Sequence, residues 1–142
     1  MCRFSLYYLI LILFFLSCDN SSISQDDPSL ISISFGSISN NSIEIIMNTS
    51  HDVGGFQMDI LGTDLGAASG GLAEEAGFTV STGGTTMLGF SFSGGFIPAG
   101  SSGVLTNIHY TATDSQACLA NGVISDGLGN GLDVELGGCI EY

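Results

Sequence analysis

The segment LISISFGSISNNSIEIIM, residues 30–47, decides the fold, because apolar and polar side chains alternate along most of its length. A period of two is typical of a half-buried β-strand, in which every second side chain faces the core. The segment therefore predicts two strands. Their inward side chains are expected to be Ile31, Ile33 and Phe35 on the first strand and Ile43, Ile45 and Met47 on the second.

The same alternation recurs along the rest of the chain, and glycine-rich turn segments separate the alternating stretches. The further inward rows are expected to be Phe56, Met58 and Ile60; Leu88, Phe90 and Phe92; Val104, Ile108 and Tyr110; and Leu132, Val134 and Leu136. Only residues 72–76 suggest a turn of helix. About eight or nine short strands at this spacing predict an all-β fold, an antiparallel two-sheet sandwich or jelly roll.

The N-terminal residues predict an exported lipoprotein. Arg3 precedes a 13-residue apolar run, residues 4–16, which ends at Phe15-Leu16-Ser17-Cys18 and there resembles a bacterial lipobox. A membrane-spanning helix needs about 20 apolar residues, so the run suits the core of a signal peptide. The alternatives are an ordinary cleaved signal or a retained anchor, with Cys18 incidental.

This interpretation divides the chain into three parts. Residues 1–17 are expected to be a lipoprotein signal peptide, residues 18–28 a polar tether, and residues 29–142 the folded domain. Cys18 would carry the lipid, because in such signals the cysteine becomes the first residue of the mature protein. The mature protein is then a membrane-anchored lipoprotein outside the cytoplasm, at the cell surface or facing the periplasm.

The charge balance is extreme and excludes one class of partner. The chain has 14 acidic residues, all after position 18, and its single Lys or Arg is Arg3. Binding to nucleic acid depends on Lys and Arg neutralising phosphates, so nucleic acid is excluded as a partner. Salt bridges to Lys or Arg are impossible within residues 29–142. The fold is therefore expected to depend on apolar burial, backbone ladders and a disulfide.

The four cysteines separate into two groups. Cys2 lies inside the predicted signal peptide and Cys18 ends the lipobox, which leaves Cys118 and Cys139 in an exported and oxidising setting. We expect these two to form a disulfide, which at this loop length stabilises a fold by about 3 kcal/mol. Metal binding is the alternative, but neither a CxxC spacing nor a nearby histidine supports it.

Residue patterns that could carry catalysis or metal binding are weak. Ser91 lacks the glycine two residues later that a nucleophile elbow requires, so an outward place on a strand is expected for it. His51 and His109 have no ligand-spaced or triad partner, and both are expected to be exposed. Residues 126–133 could wrap a Ca²⁺ ion, but a glycine-rich turn is the preferred interpretation. We therefore expect no catalytic residue, no metal and no cofactor.

Three segments together resemble the cohesin domain, the β-sandwich module that holds dockerins in bacterial cellulosomes. They are VGGFQMDI (53–60), IPAGSSGVLTNIHYTAT (97–113) and NGVISDGLGNGLDVEL (121–136). With AGFTVSTGG (76–84), LGFSFSG (88–94) and the late cysteine pair, the chain is similar to short, acidic cohesin-like domains of secreted bacterial proteins. The resemblance covers residues 30–139 and implies a β-sandwich with a protein partner, either dockerin-like or another surface protein.

The expected function is therefore that of a lipid-anchored binding module and not of an enzyme. The principal alternative is a carbohydrate-binding module of a polysaccharide-degrading system, with a polysaccharide as partner; a structural cell-surface protein is the third possibility. Exposed aromatic side chains, on which sugar rings stack, would distinguish a carbohydrate-binding module from a module that binds a protein. Phe56, Phe78, Phe90 and Phe92 are expected to face inward, which leaves Tyr110, Phe96 and Tyr142 as the candidates for sugar stacking.

Overall fold

The computed structural model describes residues 31–142. The predicted signal peptide, the lipid attachment at Cys18 and the predicted tether, residues 18–28, lie outside the described residues. The described chain has eleven strands and one short helix. They are β1 (Ile31–Ser39), β2 (Ser42–Asn48), β3 (Gly55–Leu61), β4 (Thr63–Ser69), α1 (Gly71–Glu75), β5 (Thr79–Gly83), β6 (Thr86–Phe90), β7 (Ser102–Ala112), β8 (Gln116–Ser125), β9 (Gly131–Leu132), β10 (Val134–Leu136) and β11 (Ile140–Glu141).

The strands form two sheets that pack face to face. The first sheet has the order β10-β1-β2-β7-β4, and the second has the order β11-β8-β3-β6-β5, with β9 paired to β8. All neighbouring strands are antiparallel except β1 and β10, which run parallel. The predicted all-β sandwich is confirmed. The structure has more strands than expected because β9 and β11 are only two residues long.

The buried core lies between the sheets and is built from the alternating rows. Eight of the nine side chains predicted to face inward on β1, β2 and β3 are buried, namely Ile31, Ile33, Ile43, Ile45, Met47, Phe56, Met58 and Ile60. The ninth, Phe35, is only half-buried, and the register between β1 and β2 shifts directly after it. Burial of such side chains stabilises the fold by about 1.5–3 kcal/mol each relative to leaving them in water. Within residues 31–142, where Lys and Arg are absent, this apolar burial is the main source of stability.

The prediction for residues 88–92 is wrong. Met87 and Gly89 form the buried row of β6, whereas Leu88 is 39 % exposed and Phe92, beyond the end of the strand, is 82 % exposed. The reason is the ring of Phe56, which occupies the space that a side chain at position 89 would need: a Cβ there would lie 2.2 Å from Phe56 Cζ. Alternation alone predicts that the row with Leu88, Phe90 and Phe92 is buried. The core at this point has space only for a glycine, because the Phe56 ring fills it.

The prediction for Val104 is also wrong, because β7 contains a bulge. Thr106 lies opposite Ile45 and Val104 lies opposite Ile46, so that Leu105 is an extra residue in β7. Such an insertion exchanges the two faces of a strand. Leu105 is therefore buried in the core, and Val104 shares the outer face of the first sheet with Ile46.

The C-terminal residues are fastened to the second sheet. Cys118 on β8 and Cys139 form the predicted disulfide, and β11 continues the sheet with Ile140 opposite Ala117. The Tyr142 hydroxyl donates a hydrogen bond to the Gly62 carbonyl at 2.8 Å. Three independent contacts therefore hold the last four residues.

The sandwich has two ends that differ in what they carry. We call the end at which β1 begins the proximal end. The register places Ser32, Asn48 and Ser102 side by side there in the first sheet, and Gly55, Phe90 and Ser125 side by side in the second. At the opposite end, which we call the distal end, Gly62 alone connects β3 of the second sheet to β4 of the first. The two sheets therefore have the same proximal end and the same distal end. Among residues 31–142, no helix is long and apolar enough to span a membrane.

Candidate functional site

The outer face of the second sheet carries an exposed apolar patch. Gln57 on β3 lies opposite Leu88 on β6 and Val123 on β8, and side chains directly opposite in a ladder share one face. Val123 is 59 % exposed, and Leu88 is 39 % exposed. In the next row Phe90 lies opposite Gly55, which has no side chain. We call the outward residues of β8, β3, β6 and β5 the outer face.

The patch extends beyond β6 through a second aromatic ring. Phe92 packs edge-on against Phe90, with ring centroids 4.6 Å apart and an interplanar angle of 68°. The Ser91 hydroxyl oxygen accepts hydrogen bonds from the backbone N–H groups of Ser93 at 3.3 Å and Gly95 at 3.0 Å. Ser91 therefore orders the loop that presents Phe92, and the prediction that it lies on a strand is wrong, because β6 ends at Phe90.

A single carboxylate lies on the outer face within β8, β3, β6 and β5, that of Asp59. Its Oδ2 accepts a hydrogen bond from Asn121 Nδ2 at 2.7 Å, and its Oδ1 accepts one from the Thr86 hydroxyl at 2.5 Å. The hydrogen bond from Asn121, and secondarily that from Thr86, lowers the pKa of Asp59 below its ordinary value. The carboxylate is thus held ionised in a fixed orientation beside the apolar patch.

A β-bulge positions the Asn121 amide. Gln57 lies opposite Val123 and Asp59 lies opposite Ala120, so Asn121 and Gly122 together face Met58. Asn121 has a φ of +51°, a left-handed conformation that asparagine adopts more readily than most residues. The bulge therefore turns the amide toward Asp59, a feature that the sequence pattern did not reveal.

The outer face of the first sheet is different in character. Ser32, Asn48 and Ser102 form a row across β1, β2 and β7 at its proximal end. Asn48 donates to the Ser32 hydroxyl at 3.3 Å and accepts a hydrogen bond from the Ser102 hydroxyl. These polar groups satisfy one another, and the neighbouring Ser34 extends the polar surface. In the next row Ser34 lies beside Ile46 and Val104, so the polar character of this side is strongest in the row at the proximal end.

The exposed aromatic residues do not share one flat face. Tyr110 is buried, and its hydroxyl donates to the Ser39 carbonyl at 2.9 Å. Tyr142 is exposed at the distal end, where its ring stacks on Tyr110 with centroids 5.2 Å apart. Phe96 is exposed in the loop between β6 and β7, at the proximal end. Of the three candidates for sugar stacking, Tyr110 and Tyr142 therefore lie together at the distal end, with only Tyr142 exposed, and Phe96 lies apart from them at the proximal end.

The remaining candidate residues take up simple structural roles. His51 and His109 are exposed, as predicted. Asp126 closes the turn between β8 and β9: its Oδ1 accepts hydrogen bonds from the backbone N–H groups of Leu128 and Asn130, both at 2.9 Å, and its Oδ2 accepts one from Asn130 Nδ2 at 2.8 Å. This geometry agrees with the glycine-rich turn. Within the described chain, no three His, Cys, Asp or Glu side chains lie together as metal ligands would.

Comparison of the sequence with protein-family models and with curated proteins gives no match. Comparison of the fold with solved structures gives several matches. A non-cellulosomal cohesin from the archaeon Archaeoglobus fulgidus is 18 % identical, with a TM-score of 0.52, over 75 % of this chain and 85 % of that one. The complex of CaCohA2, a Clostridium acetobutylicum protein, with CaDoc0917 gives 18 % identity and a TM-score of 0.56, over 79 % and 99 % of the two chains.

A third similar structure is the sixth cohesin of scaffoldin B from Acetivibrio cellulolyticus, solved with the Cel5 dockerin. It is 9 % identical, with a TM-score of 0.55, over 79 % of this chain and 98 % of that one. At these identities the likeness concerns the fold, and it extends over nearly the full length of the solved domains. The described residues 31–142 are therefore a cohesin-like domain in fold, an all-β sandwich of two sheets.

Proposed function

We propose that this chain is a lipid-anchored, extracytoplasmic module that binds a protein partner through the outer face of its second sheet. One observation carries the proposal: β6 directs Leu88 and Phe90 outward, on the face where Val123 lies across Gln57 from Leu88, and places Gly89 in the core instead. Contiguous exposed apolar surface on a soluble domain commonly marks an interaction site.

The composition of the outer face favours a protein over a polysaccharide. Protein interfaces combine an apolar centre, depleted in charge, with a more polar rim. The aliphatic side chains of Leu88 and Val123 supply such a centre. Sugar rings are usually bound by flat aromatic platforms, whereas Phe90 and Phe92 in this patch meet edge-on, at an interplanar angle of 68°. Asp59 would add one fixed acceptor for a donor on the partner. The likeness to cohesins solved in complex with dockerins is consistent with a protein partner.

The lipid anchor rests on the sequence of residues 4–18. An N-terminal S-acylated and N-acylated cysteine would give stable attachment, because two or more chains hold a protein far better than one. Mass analysis of the protein from native membranes is expected to find Cys18 as an acylated first residue. Cys18→Ser is expected to prevent that modification. An unmodified N-terminus upstream of Cys18 in membrane-extracted protein would overturn this part of the proposal.

Partner binding is tested with matched baits. Residues 18–142 and the double variant Leu88→Ser/Val123→Ser are immobilised, and proteins retained from the native host are identified by mass spectrometry. The control is Val104→Ser, which removes an apolar side chain from the outer face of the other sheet. A true partner is retained by the wild type and by Val104→Ser and is lost with the double variant, and calorimetry with the purified partner then confirms direct binding.

A glycan array tests the principal alternative. Under the proposal, the wild-type domain does not bind polysaccharides in a way that depends on the outer face. Reproducible polysaccharide binding that Leu88→Ser/Val123→Ser abolishes, together with no protein partner, would identify a carbohydrate-binding module instead.

A further inference from the structure

We propose that the proximal end of the sandwich rests on the bilayer to which the chain is anchored, with the side chains of Phe92, Phe96 and Leu128 at the membrane interface. The proposal rests on the lipid anchor at Cys18 in the proposed function. It adds a second contact with the membrane, made by the folded domain itself.

The two most exposed large apolar side chains of the described residues lie at this end. Leu128 is 89 % exposed in the turn between β8 and β9, and Phe92 is 82 % exposed in the loop after β6. Phe96 is exposed in the same loop. Transfer of such side chains from water to the boundary between headgroups and acyl chains is favourable, as in peripheral membrane proteins.

The position of Ile31 brings this end toward the membrane. β1 begins at the proximal end, and thirteen residues lead from Cys18 to Ile31. Even fully extended, a segment of this length reaches at most roughly 45 Å. The distal end lies further away by the length of the strands, which for the eleven residues of β7 is about 36 Å. The distal end can meet the bilayer only if the tether extends along the domain for roughly 36 of its 45 Å, so an anchor at Cys18 favours contact at the proximal end.

The loops present these side chains from an ordered backbone. The loop after β6 is tied by the Ser91 hydroxyl and by paired backbone hydrogen bonds between Val53 and Ile97, both 2.9 Å long. The turn that carries Leu128 is closed by the Asp126 carboxylate. Ordering of loops is a usual cost of association, and these loops require little further ordering when they contact a membrane.

The charges of the domain determine which membrane fits. Residues 31–142 contain 11 acidic residues and neither Lys nor Arg, and Asp52 and Asp126 lie near the proximal end. Asp52 Oδ1 accepts a hydrogen bond from the Ala99 N–H at 2.8 Å, which keeps this carboxylate beside the loop. Anionic lipids would repel such an end. The occupant we infer is therefore a surface rich in zwitterionic lipid.

The absence of tryptophan from the sequence makes the test simple. Phe92→Trp and Tyr142→Trp each introduce the sole tryptophan, at the proximal and the distal end respectively. Residues 18–142 are coupled through the Cys18 thiol to a maleimide lipid in phosphatidylcholine–phosphatidylethanolamine vesicles, since Cys118 and Cys139 are already paired. Phe92→Trp is expected to show blue-shifted emission that brominated acyl chains quench at least twofold more than the emission of Tyr142→Trp.

Two further results decide the proposal. Replacing part of the lipid by phosphatidylglycerol is expected to reduce the quenching of Phe92→Trp, and adding Leu128→Ser to this variant is expected to reduce it also. Equal quenching at both ends, or none at Phe92→Trp in tethered protein, would overturn the proposal, as would protection of this tryptophan only when a protein partner is bound. Because the maleimide lipid supplies the anchor, such a failure is distinct from a failure of Cys18 acylation or of partner binding through Leu88.

Discussion

The ring of Phe56 lies directly against Gly89, so closely that a Cβ at position 89 would come within 2.2 Å of Phe56 Cζ. This contact fixes which face of β6 is buried. With Gly89 in the core, Leu88 and Phe90 point away from it, and the outer face acquires its apolar patch. The packing of one aromatic ring thus determines the surface that we propose for partner binding.

Gly89→Ala is expected to destabilise the domain. The added methyl group meets Cζ, Cε1 and Cε2 of Phe56 at 2.2–2.6 Å, so the ring must leave its place in the core. Overpacking of this kind typically costs about 1–3 kcal/mol. Urea unfolding followed by circular dichroism measures the change. Combining the substitution with Phe56→Leu is expected to recover part of the loss.

Gly83→Ala provides the matched control for this prediction. A Cβ at Gly83 meets no atom within 4 Å, and its φ lies outside the left-handed region. The change is therefore expected to alter the free energy of unfolding by less than about 0.5 kcal/mol. Equal effects of the two alanines would show that the contact between Phe56 and Gly89 does not limit the core.

Asn121→Gly is expected to raise the pKa of Asp59 toward its ordinary value. Glycine tolerates the φ of +51° but removes the amide whose hydrogen bond is the main cause of the lowered pKa. Carbon-detected NMR titration of the carboxylates measures the shift. Asp126 serves as the internal control, since the hydrogen bonds that lower its pKa come chiefly from Asn130 within its own turn.

The hydrogen bonds to Asp59 also predict how the stability of the domain depends on pH. The pKa of Asp59 is lower in the folded than in the unfolded state, so its ionised form contributes stability that is fully present above about pH 4. That contribution is lost as the pH falls through the lowered folded-state pKa. Asn121→Gly should weaken this acid-side loss of stability; an unchanged profile would show that Asn121 does not stabilise the carboxylate.

Removal of the disulfide is expected to lower stability by about 3 kcal/mol, because a closed loop of this size restricts the unfolded chain. Cys118→Ser/Cys139→Ser is compared with the wild type under oxidising conditions. Hydrogen exchange should accelerate most at Ala117 and Ile140, which pair β8 with β11. Unchanged exchange there would mean that β11 and the Tyr142 contacts hold the terminus without the disulfide.

Salt is expected to stabilise the domain at neutral pH. The 11 carboxylates of residues 31–142 have no Lys or Arg partners, so their repulsion is reduced when the screening length falls from roughly 10 Å at 0.1 M to 3 Å at 1 M salt. The urea midpoint should therefore rise with NaCl concentration. At pH 3, where most carboxylates are protonated, the effect should largely disappear. A midpoint that is independent of salt at pH 7 would contradict this expectation.

Local alternation was sufficient to predict the inward side chains of strands in which every residue of the core row is apolar. Ile31 and Ile33, like Phe56 and Met58, face inward as predicted because nothing interrupts their period. The order of strands was not predictable, since the parallel pairing of β1 with β10 joins segments at opposite ends of the domain. The disulfide was predictable because the predicted signal peptide and lipobox account for Cys2 and Cys18, which leaves one pair.

The candidate site was not predictable, for a physical reason. Alternation in residues 88–92 favours burial of Leu88, Phe90 and Phe92, and only the distant Phe56 determines that Gly89 belongs inside. The β-bulges in β7 and β8 also prevented a correct prediction. The extra residues Leu105 and Asn121 exchange the inward and outward rows of these strands, and nothing in the local sequence indicates them. Where packing across the sandwich sets the register, the sequence of one strand cannot reveal which of its sides meets solvent.

The lack of Lys and Arg beyond Arg3 also determines how the molecule will respond to reagents. Trypsin has no cleavage site anywhere in residues 31–142, whether the domain is folded or not, so digestion of a cell surface would leave it as one uncut fragment. Reagents that label primary amines would find no lysine in it. Proteomic surveys based on tryptic peptides would therefore register this domain only as a single fragment of more than a hundred residues, too large for routine detection.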